Sequence, residues 1–230
     1  EIMSSDWSSD VCSSDLSKKL EEAGADGIEL NISIFPFDEH IDSNTIENTY
    51  VEILQEVKRF VKIPVSVKIG PCFTNHKRIV TKLSEAGADG LVMFNRFYRP
   101  DINIQKETVI KDNVFSSPHE MTQSLRWVAL LSSAVDCDIA AATGIHNFEG
   151  VIKQLLAGAT ATQICSTLYI NGISYIDTIL YDLQKWMEKH NYEKIEDFYG
   201  KIAADQKNVA AFERVQFMKK ITEDKNYKKY

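Results

Sequence analysis

The sequence predicts an α/β fold organised on one parallel sheet, and three observations carry that expectation. A unit made of a helix end, Ala-Gly-Ala and a strand occurs as SKKLEEAGADGIEL at residues 17–30 and again as KLSEAGADGLVM at 82–93, with a looser copy, QLLAGATATQI, at 154–164. Alternating helices and parallel strands require such units, because each crossover helix must stop and return the chain tightly to the sheet. Helical and strand periodicities then alternate along the chain to give five βα units. Last, the stretch DIAAATGIHNFEGVIKQLLAGATATQICSTLY at 138–169 ends its two strands in a Thr-Gly turn and in a turn of small hydroxyl residues. Those are the places where parallel barrels hold phosphate.

Taken in order, residues 27–33 read as the first strand, and 44–61 as a helix with Ile46, Tyr50, Ile53, Leu54 and Val57 on one face. Residues 64–69 form the second strand, 75–85 the next helix and 90–95 the third strand. A polar, β-prone insert at 101–115 precedes a helix over 117–135 that Pro118 opens. The fourth strand, 138–142, turns at Thr143-Gly144, where glycine lets backbone N–H groups approach an anion without a Cβ in the way. Asn147 reads as an N-cap with Glu149 and Gly150 behind it, and Val151, Ile152, Leu155 and Leu156 follow at helical spacing. Gly158 closes that helix and 160–165 is the fifth strand. A helix over 174–190 is expected to bury Tyr175, Ile176, Ile179, Leu180, Leu183 and Trp186, and 195–202 to form a short closing helix.

Five parallel strands do not close a barrel of eight. The residues leave two arrangements open: an open, doubly wound sheet, or a partial barrel that lacks its first three strands. Residues 6–16, DWSSDVCSSDL, carry no hydrophobic period and correspond to one reading frame of a sequencing-library adapter. Residues 1–16 are therefore expected to be a non-native or disordered leader, 17–202 the folded domain, and 203–230 a charged extension.

Composition narrows the function. Lys+Arg 26 against Asp+Glu 33 gives a net charge of −7, which implies no broad basic face for nucleic acid. No apolar run is long enough to span a bilayer, and the N-terminus lacks the order of a signal peptide. Cys12, Cys72, Cys137 and Cys165 form no C-x-x-C pair, which argues against a zinc ribbon or a disulfide framework. A reduced, cytoplasmic setting is the expectation.

Side chains at the carboxyl ends of parallel strands converge on one mouth. Reading across the strand ends gives Asn31 and Ser33, then Lys68, Asn95, Thr143-Gly144 and Ser166-Thr167. Lys68 sits late in the apolar strand PVSVKIG, where a desolvated ammonium is costly unless it meets an anion or an electron-rich ligand. Asn31 and Asn95 can each present a donor and an acceptor to a planar heterocycle. Ser166 and Thr167 offer hydroxyl and amide donors. Taken singly, each has an ordinary reading as a cap or turn residue, and the glycine pattern at 138–169 also suits a plain βαβ unit, since it has no P-loop lysine.

The segments IELNIS, PVSVKIG, GLVMFN, the run at 138–169 and IEDFYGKI together resemble the class 1 dihydroorotate dehydrogenases and the related flavin domain of dihydropyrimidine dehydrogenase. NRFYRPDINI at 95–104 is shared with bacterial proteins described as dihydroorotate dehydrogenase-like, and the resemblance covers about residues 17–202. It implies an N-terminally truncated TIM (β/α)8 barrel of about five βα units that binds FMN, with the flavin phosphate on the last two strand turns. By position it implies that Lys68 contacts the flavin ring near N1 and the C2 oxygen, that Asn31 and Asn95 bind a pyrimidine-like substrate or flank the flavin, and that Thr143, Gly144, Ser166 and Thr167 bind the phosphate. The implied activity is hydride transfer between a dihydropyrimidine-like substrate and flavin N5.

Two positions depart from the family pattern. The cysteine that acts as general base aligns with Ile34, which cannot take a proton, so Ser33 is the remaining candidate at that loop. Arg96 follows Asn95 where the family usually has a small hydroxyl residue, so the substrate is open. The alternatives are a non-catalytic flavin- or pyrimidine-binding paralogue, or a phosphate-binding lyase or isomerase without flavin. The partners expected are a pyrimidine-like small molecule and a second copy in a homodimer. With no Fe–S cysteine cluster, a nicotinamide-linked electron path needs a partner chain. Without the further contacts of the missing strands, the chain alone is expected to bind FMN weakly or to aggregate.

Overall fold

The computed structural model describes residues 13–34, 37–97, 99–111 and 114–203. Helix and strand alternate as expected: α1 (Ser13–Glu22), β1 (Ile28–Asn31), α2 (Ser43–Phe60), β2 (Val65–Ile69), α3 (His76–Glu85) and β3 (Gly90–Met93). The hairpin β4 (Pro100–Asn103) and β5 (Thr108–Lys111) interrupts the series. It resumes with α4 (Met121–Leu131), β6 (Asp138–Ala141), α5 (Phe148–Leu156), β7 (Ala161–Thr162), α6 (Ser166–Asn171) and α7 (Tyr175–Lys189). Helix α1 starts inside the segment 1–16, with Asp15 in its first turn, where a carboxylate favours helix formation. Residues 1–12 and 204–230 lie outside the described residues.

The main sheet has the order β1-β2-β3-β6-β7, with every pair parallel. Its convex face is apolar and covered by helices: Val65, Val67 and Ile69 of β2 and Leu91 and Met93 of β3 are fully buried with Leu54, Val57, Ile79 and Leu83 of the flanking helices. Polar pins fix the helices. Glu47 of α2 is buried and paired with Arg78 Nε at 3.0 Å and Lys82 Nζ at 2.9 Å, both on α3. Asp89, just before β3, accepts from Lys58 Nζ of α2 and from the Val65 N–H, both at 2.7 Å. Burial opposes its ionisation, but these bonds and the Lys58 charge outweigh it and hold the carboxyl below its usual range. No described helix is long and apolar enough to cross a membrane.

The concave face carries polar side chains, and its curvature is visible in one contact. Gln163, just after β7, donates from Nε2 to Glu29 Oε2 on β1, although these strands are the two edges of the sheet. Side chains from opposite edges meet only if the sheet curls towards closure, as an arc of a barrel does and an open doubly wound sheet does not. The α/β fold is thus a partial TIM barrel.

Three elements are shorter or more exposed than the periodicity suggests. The fifth strand reduces to Ala161–Thr162, although the Thr160 and Gln163 N–H groups extend the pairing to the Ile139 and Ala141 carbonyls. Helix α7 buries Ile179 and Leu183, but Leu180 of the adjacent stripe is 57% exposed. The segment 195–202 is one 3-10 turn, Ile195–Asp197, that docks by buried Phe198 and by Gly200 and Ile202 N–H bonds to the Leu155 and Leu156 carbonyls.

Gly158 ends α5 at φ +98°, and a Cβ there would lie 2.4 Å from Ser132 Oγ. Gly158→Ala is expected to cost about 1–3 kcal/mol, lowering the melting temperature by roughly 2–4 °C for each kcal/mol; an unchanged melting temperature would contradict the packing described. For Asp89, a depressed folded pKa means its contribution is complete above the usual carboxylate pKa of about 4 and is lost as pH falls through the folded value. Acid titration monitored by circular dichroism should therefore give Asp89→Asn a shallower loss of stability than the parent below about pH 4.

Candidate functional site

The carboxyl ends of β2, β3, β6 and β7 open onto a cavity of about 740 Å³, within the range of small-molecule sites. Lys68, Asn95, Thr143, Gly144 and Ser166 all line it. Five of the eight residues nominated from sequence thus face one space, and Lys68 and Gly144 open on the same end of the sheet.

Lys68 leaves β2 on its concave side, and the anion that an ammonium there requires comes from the chain itself. Lys68 Nζ lies 2.8 Å from Gln163 Oε1 and 3.3 Å from Glu29 Oε1. Glu29 and Gln163 were missed by the sequence reading. Glu29 precedes Asn31 by one turn of the pleat, so the alternation of IELN places both on the concave face; no local signal marks Gln163, whose role comes from curvature. A second cavity, about 540 Å³, lies along the amino-terminal part of the same face. Gln163 lines both cavities, Glu29 the lower and Lys68 the upper, so the three side chains form the floor between them.

At the rim, Asn95 donates from Nδ2 to Asn31 Oδ1 at 2.8 Å, joining the ends of β1 and β3, and its backbone N–H donates to the Ile69 carbonyl at 2.8 Å. Asn31 is thus one bond from the cavity wall. Ser33 is exposed, and among the described residues no base is hydrogen-bonded to it. Ile34 lines a different cavity, between the β1–α2 and β2–α3 loops, together with Cys72, Phe73 and Phe97.

The two last turns are built differently from each other. Thr143 (φ +72°) donates its hydroxyl to the Phe94 carbonyl at 3.0 Å, and Gly144 has φ +78°. A Cβ on Gly144 would lie 2.3 Å from the Met121 amide nitrogen, so the glycine is required where the turn meets the start of α4. In the following turn Ser166 Oγ accepts from the Ser116 N–H at 2.9 Å and from Ser116 Oγ at 3.1 Å, and Ser116 Oγ in turn lies 3.1 Å from His146 Nε2. Thr167 stands behind this wall. It is fully buried, donates its hydroxyl to the His146 carbonyl at 2.9 Å and accepts from Asn171 at 3.0 Å. Ser116 and His146 were also missed; His146 lies between Gly144 and the N-cap Asn147, a position that could have flagged it.

Arg96 lines the same cavity and is also committed to an ion cluster. Its Nε donates to Glu120 Oε2 at 2.8 Å and a terminal nitrogen to the Val114 carbonyl at 3.0 Å, while Arg99 reaches the same carboxylate at 3.3 Å. Burial would raise the Glu120 carboxyl, but the bonds from Arg96 and the Ser117 N–H and the charges of both arginines hold it below its usual range. The cluster fixes both ends of the exposed β4–β5 hairpin to the start of α4 and walls a smaller cavity of about 140 Å³ shared with Asn95 and Thr143.

A cation, an amide, a glycine turn and a serine turn around one space suit a planar, phosphate-bearing ligand. The family model for dihydroorotate dehydrogenase matches residues 13–187. The chain is 30% identical over 193 residues to the dihydroorotate dehydrogenase B (NAD(+)) catalytic subunit of Thermoplasma volcanium, covering 80% of this chain and 62% of the relative. It is 30% identical over 187 residues to the Petrotoga mobilis protein of the same description, with the same coverage, and 29% identical over 194 residues to that of Pyrococcus abyssi, covering 80% of this chain and 63% of the relative. The chain therefore spans less than two thirds of the length of these relatives. With a parallel sheet and a family model matched over most of its length, the chain belongs to the dihydroorotate dehydrogenase family.

Proposed function

We propose that this protein is an FMN-dependent oxidoreductase that moves a hydride between a dihydropyrimidine-like substrate and flavin N5. The single observation that carries the reading is that Lys68, Asn95, Thr143, Gly144 and Ser166 line one cavity. The donor set fits FMN. Lys68 offers a positive charge beside an electron-accepting ring, Asn95 and Asn31 offer amide donors and acceptors to the ring or the substrate, and the turns at Gly144 and Ser166 present small residues to a phosphate. When bound, FMN would supply a two-electron acceptor at N5.

The chain's own residues would divide the remaining work. Lys68 would stabilise negative charge on the reduced ring, and the Asn31–Asn95 pair would orient a planar substrate at the rim. Loss of a hydride from one substrate carbon requires loss of a proton from its neighbour to form the double bond. Ser33 is the hydroxyl on the matching loop, but with Ile34 at the cysteine position and, among the described residues, no base bonded to Ser33, that proton has no assigned acceptor. This observation favours a second reading, a paralogue that binds flavin or pyrimidine without turnover. The relatives are described as catalytic subunits of NAD(+)-linked enzymes. We propose by extension that electrons leave through a partner subunit, with a homodimer as the catalytic core, in the cytoplasm.

FMN is expected to bind the native protein at least about tenfold more tightly than riboflavin, read from flavin fluorescence, because only FMN carries the phosphate for the two turns. Equal binding would contradict a phosphate site at these turns. Addition of dihydroorotate to the loaded protein under anaerobic conditions bleaches the flavin absorbance if the enzyme reading holds. Tight FMN binding without bleaching by dihydroorotate or other dihydropyrimidines supports the non-catalytic paralogue.

A further inference from the structure

Lys68 does not act alone. We propose that Glu29 and Gln163 are positioning residues that clamp the Lys68 ammonium at the middle of the concave face and set the strength of its field on the cofactor. This inference deepens the flavoprotein reading and rests on it.

The geometry is a closed triangle. Lys68 Nζ is 2.8 Å from Gln163 Oε1 and 3.3 Å from Glu29 Oε1, and the third side is the Gln163 Nε2 bond to Glu29 Oε2. Each member comes from a different strand or strand end: β1, β2 and the residue after β7. Lysine has a long, flexible stem and a point charge, so it needs at least two fixed partners to hold the ammonium in one place. Gln163 can do this only because its amide has two faces: the oxygen takes Lys68 and the nitrogen takes Glu29. Glutamate at 163 would set two carboxylates against each other, and an apolar residue would release Nζ from the far edge.

Charge separates the two partners' effects. The lysine side chain is 21% exposed and that of Glu29 33%, so the pair is partly shielded from water. There the carboxylate offsets the ammonium by a Coulomb term that falls slowly with distance. Of the two, only Lys68 lines the upper cavity, with Glu29 on the side away from it. The carboxylate therefore weakens the ammonium's effect on anything in the upper cavity without touching it.

The test is a spectroelectrochemical titration of the FMN-loaded native protein and its Glu29→Gln variant, which keeps the shape and hydrogen-bonding capacity but removes the charge. The expected result is a shift of the reduction equilibrium towards reduced flavin by about tenfold, close to 30 mV upward for a two-electron couple. Glu29→Asp keeps the charge but withdraws it, and should give a rise of about two- to threefold. A purely structural role for Glu29 would alter melting temperature and FMN affinity but not the reduction equilibrium. An equilibrium unchanged or shifted towards oxidised flavin in either folded variant overturns this inference alone. Failure of the parent protein to bind FMN overturns the flavoprotein reading and this inference with it.

Discussion

The placement of one charge organises the site. Lys68 stands on the concave side of a parallel strand whose other face is fully apolar, and such a position is tolerable only where the ammonium meets compensating groups. The compensation comes from both edges of the sheet at once, Glu29 on β1 and Gln163 after β7. That contact requires curvature. The same curvature turns the ends of β2, β3, β6 and β7 towards one cavity. The ion-dipole triangle and the convergence of site residues are therefore two consequences of one bend.

The helices' role is to keep that bend while leaving the carboxyl rim free for function. Buried Glu47, near the start of α2, ties α2 to α3, and Asp89 ties the end of α2 to the starts of β2 and β3, so the helices are held to the sheet by charge as well as by packing. The carboxyl rim is built from short-range devices: the left-handed Thr143-Gly144 turn against α4, the Ser166–Ser116–His146 chain, and the Arg96–Glu120–Arg99 cluster under the hairpin. Loops that carry chemistry on a rigid sheet follow this division in parallel barrels generally.

Much of this was legible in the residues. The repeated Ala-Gly-Ala units mark where helices stop, and the glycines Gly24, Gly87 and Gly158 all have positive φ at those stops. Asn147 caps α5 through its bond from the Gly150 N–H, as its spacing suggested. Strand-end position nominated Lys68, Asn95, Gly144 and Ser166 for one mouth because parallel strands all point their carboxyl ends the same way. What stayed hidden depends on distance across the sheet. Nothing near Gln163 in the chain says that it will meet Glu29, 134 residues away. Thr167 was nominated by its hydroxyl, but helix phase turns that hydroxyl inward to His146 and Asn171 while its neighbour Ser166 faces the cavity. Arg96 looked like a substrate-side departure, and the structure gives it Glu120, a partner that composition alone could not single out.

A flavin bound as proposed would lie in one cavity at the strand ends, with its ring against Lys68 and its phosphate at the last two turns. A crystal structure of the native protein grown with FMN tests it most directly. The expected result is a phosphate beside Gly144 and Ser166 and an isoalloxazine ring within hydrogen-bonding reach of Lys68. FMN density elsewhere on the protein, or bound with its phosphate remote from both turns, would contradict it.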